Sequence, residues 1–388
     1  MNLHAGETAR RGRLMRMLLL ASCAIPFGIA SSSVWAAGKR ATAIAATPKV
    51  APSEAPQQPA PPPQRPPAPM GVFGADMPAK GKFVLAIAPV WANLSGQRIG
   101  TQGVSSEFIV STIPWWVDPT KKLRLVPQNI AVSAQTGLIS YGLSEDLSVV
   151  VTASIVEKRL EALTFKGQSG ATPLGRSYPG TFGLSDFTTS AIYRIYQDPV
   201  HRIQVNLGFA YPFSFNTARF DLLQADGTVP NIRAFYGMQP GSGTFDIMPG
   251  VVYAGNIGQW SWGLSYRARL PLARNPENWR FGDLHEFNGW GGYTLIPGVT
   301  ATFRASGVTQ GQISGFDPQI LGRAVPTNPA FYGGQRVELF GGGVVSGKLI
   351  GVDAASVAFE AGLPVYQNLN GPQIAKNWQA GFSFRLKI

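Results

Sequence analysis

Charged residues sit on alternate positions along several stretches of this chain. Arg267 and Arg269 lie in WSWGLSYRARL (260–270), Arg202 in HRIQVNLGFAY (201–211), Arg304 in VTATFRASG (299–307), and Arg385 and Lys387 in the closing GFSFRLKI. Arg194, Arg336, Glu338 and Glu360 extend the set. A guanidinium offers paired planar N–H donors to a carboxylate or another anion. Charges removed from bulk water must be paired, hydrated or in contact with solute. The set can therefore brace a wall as ion-pair ladders, or select what passes it. Material for covalent or metal chemistry is scarce. Beyond the first 36 residues the histidines are His201 and His285, and Cys23, the sole cysteine, falls within the leader, which excludes Cys-x-x-Cys sites and disulfides. His201 follows Asp198 and Pro199 and reads as a turn residue. His285 shares a face with Phe287, but Ser265 and Ser306 point the other way, so a lipid hydrolase of the Ser–His type lacks its nucleophile. GSGT (241–244) lacks the Lys and following helix of a phosphate loop. Asp226, Gly227 and Asn231 form a turn sooner than a calcium site. No catalytic, cofactor-binding or metal-binding residue is expected.

Period-two alternation belongs to extended strands. In 260–270, Trp260, Trp262, Leu264, Tyr266, Ala268 and Leu270 share one face, while Ser261, Gly263, Ser265, Arg267 and Arg269 share the other. A soluble sandwich would bury the apolar face, whereas a membrane barrel would turn it to lipid and the arginines to a lumen. The connections decide. About 12 strands are expected between 82 and 388, with long connections at 94–128, 159–183, 213–242, 273–281, 312–334 and 367–375. Short ones fall at 144–146, 198–200, 257–258 and 296–298, and a looser turn follows Gly347. Long and short alternate, as in outer-membrane barrels with tight periplasmic turns and long external loops. Beyond the leader no stretch of about 18 apolar residues offers a helical span. The expected fold is all-β: a transmembrane, antiparallel, up-and-down β-barrel over 82–388, with Arg194, Arg202, Arg267, Arg269, Arg304, Arg336, Glu338, Glu360 and Arg385 lining the lumen.

The ends of the chain agree with export. Residues 1–36 read as a signal peptide: Arg10, Arg11, Arg13 and Arg16 precede an apolar stretch and a VWA cleavage site. LASC (20–23) also fits a lipoprotein cleavage box, which leaves the mode of processing open. Residues 37–81 read as a Pro/Ala-rich periplasmic linker, with nine prolines in APSEAPQQPAPPPQRPPAP (51–69) that favour solvated polyproline II over a core. Removing Arg10, Arg11, Arg13, Arg16 and Glu7 with the signal takes the net charge from +12 to +9. Without a basic helix or aromatic RNA-binding motif, this charge suits anionic lipopolysaccharide and anionic solutes better than nucleic acid. Expected partners are outer-membrane lipid and lipopolysaccharide, the barrel-assembly machinery and a small-molecule solute.

Several stretches together resemble the outer-membrane family labelled MetA pathway of phenol degradation, whose members are described as transporters. They are MGVFGADMPAKGKFVLA (70–86), YGLSEDLSVVVTASI (141–155), GLSDFTTSAIYRIYQDPVHRIQVNLGFAYP (183–212), MQPGSGTFDIMPGVVY (238–253), WSWG (260–263) and GLPVYQNLNGPQIAKNW (362–378). The chain departs from the family at AYPFSFNT, where members often carry PTG, and in ending on Ile388 instead of an aromatic residue. The resemblance implies an outer-membrane channel for aromatic or hydrophobic small molecules, and brings no catalytic residue. A structural or sensory barrel without transport is the alternative.

Overall fold

The computed structural model describes residues 65–388, so the expected signal peptide and linker residues 37–64 lie outside the described residues. Eleven strands rich in β-branched and aromatic residues dominate the chain. They are β1 (Phe83–Gly100), β2 (Leu125–Gly142), β3 (Leu147–Phe165), β4 (Phe187–Gln197), β5 (His201–Tyr211), β6 (Asp246–Ile257), β7 (Trp260–Pro271), β8 (Leu284–Ile296), β9 (Val299–Gln310), β10 (Gly334–Ser346) and β11 (Ala355–Lys387). Each pairs antiparallel with the next in sequence, and β11 pairs back onto β1. The ring is closed. Phe83 and Ile388 exchange both backbone hydrogen bonds at 2.9 Å, so the seam joins the first strand to the chain's last residue.

β11 is 33 residues long. Straight, it would run roughly 110 Å at about 3.3 Å per residue, several times the hydrocarbon thickness. Its first half, to Leu369, pairs with β10, and its second half, from Leu369, pairs with β1. Because β10 and β1 run in opposite directions around the ring and both pairings are antiparallel, β11 doubles back on itself. Gly371, at φ +116°, makes the turn, and at the other end the Lys387 N–H donates to the Ala354 carbonyl at 2.8 Å. The connection expected over 367–375 is therefore no loop. The side chain of Gln367 bridges the two halves, donating to the Lys376 carbonyl and accepting from the Lys376 N–H.

The two faces meet different media. On β9, Thr300, Thr302, Arg304 and Ser306 are buried while Phe303 is 53% exposed; on β11, Phe384 is 46% exposed beside buried Ser383. Rows of exposed Ile87, Leu207, Leu264, Phe287, Phe359 and Leu363 encircle the ring, as a hydrocarbon-facing wall requires. Aromatic pairs stand near its edges, among them Trp260 with Tyr293 and Phe83 with Tyr141.

The connections differ in character at the two ends. At one end 143–146, 198–200, 258–259 and 297–298 are tight, and Gly347–Ile350 adds a 3₁₀ turn. At the other, long connections from around the ring converge over the mouth and share an apolar core of Leu125, Leu160, Phe220, Phe235, Tyr236, Trp279, Ile313 and Ile320. A second core joins Ile109 and Val110 of helix α1 (Ser106–Thr112) to Leu123, Phe165 and Val325. Burial pushes the Tyr236 hydroxyl up to about 12 while it accepts a hydrogen bond from the Asp317 N–H.

Residues 65–82 enter from the tight-turn end. Arg65 donates to the Asp198 carbonyl in the β4–β5 turn. The chain turns at Pro69–Val72, returns past β5 and leaves along Gly142 into β1. Its Ala68, Val72 and Ala75 pack on the inward-facing Val252 and Trp290. The expected linker over 37–81 thus gives way, at its described end, to a hairpin-like insert in the lumen. The cause is compositional: at Met70 the proline-rich run changes to MGVFGAD, small and apolar enough to fit beside the wall.

Two outcomes follow from these turns. Gly371→Val forces a β-branched residue to φ +116° and drives its Cβ into the Phe331 ring; a loss of about 1–3 kcal/mol is expected, read as an earlier conversion to the slow-migrating form on heating in SDS. In the β4–β5 turn the Asp198 carboxylate accepts from the His201 N–H, the Tyr196 hydroxyl and the Val200 N–H, which hold its pKa down at about 2 from 3.8. Its contribution to stability is complete above 3.8 and lost as pH falls through about 2. The His201 amide resonance should titrate with that low midpoint; one near 3.8 would show the carboxylate free.

Candidate functional site: the charged lumen

Arg304 shows how the alternating pattern becomes a site. It projects inward from β9 and is 4% exposed; its Nε and Nη2 reach Glu360 on β11 at 2.9 Å each, a bidentate pair. Nη1 donates to Asn288 on β8 at 2.7 Å, and the guanidinium lies 4.0 Å over the Phe340 ring of β10. One side chain thereby ties four neighbouring strands. The Gly71 N–H of the insert donates to the second oxygen of Glu360 at 3.1 Å, and a Cβ at 71 would collide with the Arg304 guanidinium, so only glycine approaches this clamp.

Most of the remaining expected residues also find partners. Arg202 donates to the Ala75 carbonyl and lies 3.7 Å from Asp76, which Arg385 meets at 3.3 Å from the opposite side of the seam. Arg269 joins Asp246 at 2.5 Å and also Asp186, whose carboxylate receives the hydroxyls of Ser214 and Ser242. Arg336 lies 3.9 Å from Glu338, and Lys376 meets Glu338 at 2.7 Å. Arg194 stands at the tight-turn rim, donating to Asp146 at 2.8 Å and to the Glu145 carbonyl. Arg267 differs. Among the described residues it has no ion-pair partner; its contacts are the Phe73 ring at 4.2 Å and the Met248 sulfur at 3.6 Å.

The structure adds Phe73, Asp76, Asp186, Asn288 and Lys376 to the lumen, residues absent from the expected row. Phe73 and Asp76 arrive with the insert. Asp186 is brought in by the β3–β4 connection. Lys376 falls outside the alternation because the β1–β11 register shifts at Asn93/Leu94, where Asn377 is an extra residue on β11 that exchanges its two faces.

The other motifs take structural places. The GSGT run wraps carboxylates instead of phosphate, with Ser242 on Asp186 and the Thr244 hydroxyl donating to Asp246 at 2.6 Å. Asp226 accepts from Thr228 and closes a turn. His201 pairs with the Tyr253 hydroxyl at 3.0 Å and His285 with the Tyr266 hydroxyl at 2.9 Å, and among the described residues no serine hydrogen-bonds to either ring. An apolar recess of about 370 Å³ beside Leu264, Tyr266, Phe287 and Gly289 opens on the outer wall, away from the charged row.

No family model matches the sequence, and no curated protein matches it. Among solved structures the chain is similar to the COG4313 outer membrane channel from Pseudomonas putida F1, with a TM-score of 0.51 at 11% identity over 82% of this chain and all of that one. The P. putida toluene transporter TodX gives 0.41 at 9% identity, over 79% and 90% of the two chains. The translocator domain of the autotransporter NalP from Neisseria meningitidis gives 0.39 at 10%, over 81% and 90%. A transporter and a translocator stand equally far away, so these two carry no functional argument. The first likeness shows the fold: a closed antiparallel barrel of the kind that forms bacterial outer-membrane channels.

Arg304→Ala leaves Glu360 buried without its cation. A loss of about 3–5 kcal/mol is expected on thermal or denaturant unfolding in detergent, with the double change Arg304→Met and Glu360→Met recovering most of it. Equal losses for the single and the double variant would show that the unpaired Glu360 carboxylate is not the source of the loss.

Proposed function

We propose that this protein is an outer-membrane channel for small molecules, with aromatic or hydrophobic compounds as its solutes. The observation that carries the reading is a closed ring with an apolar exterior and a charged interior, entered by a segment that ion pairs, hydrogen bonds and a small apolar cluster hold against the wall. The resemblance in sequence to the phenol-degradation family supports aromatic solutes, and the likeness in fold to an outer-membrane channel supports the barrel.

We count the doubled β11 as two staves, which makes twelve; an antiparallel ring closes only on an even number. Twelve staves enclose more room than a side-chain-filled barrel of eight and less than a general porin of 16 to 18. Lipopolysaccharide and the barrel-assembly machinery are the partners this placement implies. The insert and the loop cap also favour a second reading, a structural or sensory barrel that passes nothing.

Flux decides between them. The full chain in liposomes should admit phenol-sized neutral aromatics well above the protein-free rate, and hexoses poorly. Asp76→Ala removes the carboxylate shared by Arg202 and Arg385. These pairs are partly exposed and together worth about 1 kcal/mol, so flux should rise roughly fivefold as the insert loosens. No flux from either protein would favour the second reading.

A further inference from the structure

The arginines expected in the lumen divide into those with a carboxylate within reach and, among the described residues, Arg267, which has none. Arg304, Arg269, Arg202, Arg336 and Arg385 each have a carboxylate within 4.0 Å. Arg267, inward-facing at mid-height on β7, has none among the described residues. Glu286 lies opposite it on β8 but accepts from Asn288 at 2.9 Å and leans toward Arg304 at 3.9 Å. Arg269, two residues along the same face, is engaged by Asp246 and Asp186. The Arg267 N–H edge is left with a thioether sulfur at 3.6 Å, a weak acceptor.

Its flat face is covered by Phe73, a residue of the insert and not of the wall. A guanidinium has two distinct binding surfaces: a face that stacks on aromatic rings, and an edge that grips a carboxylate with paired N–H donors. Here an aromatic ring on the insert supplies the first, and among the described residues no carboxylate within 4.0 Å supplies the second, Glu286 across the strand pair being turned toward Asn288 and Arg304.

We propose that Arg267 is a solute-binding residue of the lumen, that its ligands are arylalkanoates, and that Phe73 holds the place of the ligand's ring in this conformation. A single solute can satisfy both surfaces if a short flexible spacer lets its carboxylate reach the edge while its ring lies on the face. Phenylacetate and 3-phenylpropanoate have that shape. Benzoate does not, because pairing its carboxylate edge-on holds its ring in the plane of the guanidinium. The inference rests on the channel reading for the route by which solute reaches Arg267, and narrows its solutes to one chemical class.

Equilibrium binding to the full chain in detergent, with radiolabelled phenylacetate competed by unlabelled analogues, tests it. Phenylacetamide keeps the ring and size without the charge, and cyclohexylacetate keeps the charge without the aromatic face. Each should compete at least tenfold more weakly than phenylacetate. Arg267→Gln should abolish the preference, and Arg267→Lys should keep the preference over the amide while losing that over cyclohexylacetate. Phe73→Ala should tighten phenylacetate binding several-fold, whereas Phe73→Tyr should leave it unchanged. Equal competition by phenylacetamide on the unaltered protein would overturn the proposal without recourse to any variant, as would an unchanged preference in Arg267→Gln. Flux of neutral aromatics that ignores Arg267, combined with equal competition, would defeat this inference and leave the channel standing. Selective binding without flux of any solute would do the reverse.

Discussion

Everything in this molecule depends on the seam where Phe83 meets Ile388. A backbone exposed to hydrocarbon must satisfy every N–H and C=O internally, and a sheet does so only when its edges find each other. The paired residues at the seam are about 300 positions apart in sequence, so the last strand formed completes the hydrogen bonding of the first. The ring exists whole or not at all. Once closed, it imposes the rule obeyed by Phe303 and Arg304, adjacent in sequence and separated by a wall one strand thick.

Closure also creates the problem that the lumen solves. A barrel of this size brings arginines from neighbouring strands into a space too narrow to hydrate each one fully, and the structure answers with Asn288, Glu360, Asp246, Asp186 and the backbone of the insert. A buried ion pair is seldom a net source of stability against apolar packing of equal volume, since desolvation consumes most of the attraction. The lumen keeps such pairs all the same, and they can exchange one partner for another. Packed apolar cores cannot. The loop cap, built on Trp279, Tyr236 and Phe235, belongs to the second kind, whereas the insert, held by Glu360, Arg202 and Arg385, belongs more nearly to the first. The two ends of the barrel are thus closed by interactions of different reversibility, and the tight-turn end is the softer.

How much of this was legible in the sequence follows from the range of each signal. Alternation is local, so the strand expected between the connections at 257–258 and 273–281 coincides with β7 at Trp260–Pro271, and Arg269 reaches the inward carboxylate of Asp246. The sorting of connections into tight and long is also local, and it held at 198–200 and 296–298. Parity fails wherever a bulge intervenes, which is why Lys376 was missed while Arg385, beyond the irregular stretch, was not. The run LNGPQ around Gly371 carries Asn, Gly and Pro and reads as loop; only the pairing partners on either side, β10 and β1, show that the strands continue to within a residue or so of the turn. Placement of the insert was not legible at all. MGVFGAD has no partner within reach along the chain, and what holds it, Glu360 and Arg267, lies some 190 to 290 residues away.

The distance between fold and function here has a physical origin. A barrel constrains its sequence weakly: an outward position asks only to be apolar, an inward one to be polar or small, and a turn to supply the right backbone angles. Chains with 11% identity can therefore share the ring, as this one does with the P. putida channel, while agreeing on few side chains. What a channel recognises is decided by the handful of inward groups whose valence is not used up by neighbours. Paired arginines such as Arg304 present a neutral, finished surface to a passing solute, and substituting one partner alters stability before it alters selectivity. An unpaired one presents a field. In a wall of this kind the exceptions to charge balance say more than the number of charges, and among the described residues of the expected row the exception is Arg267.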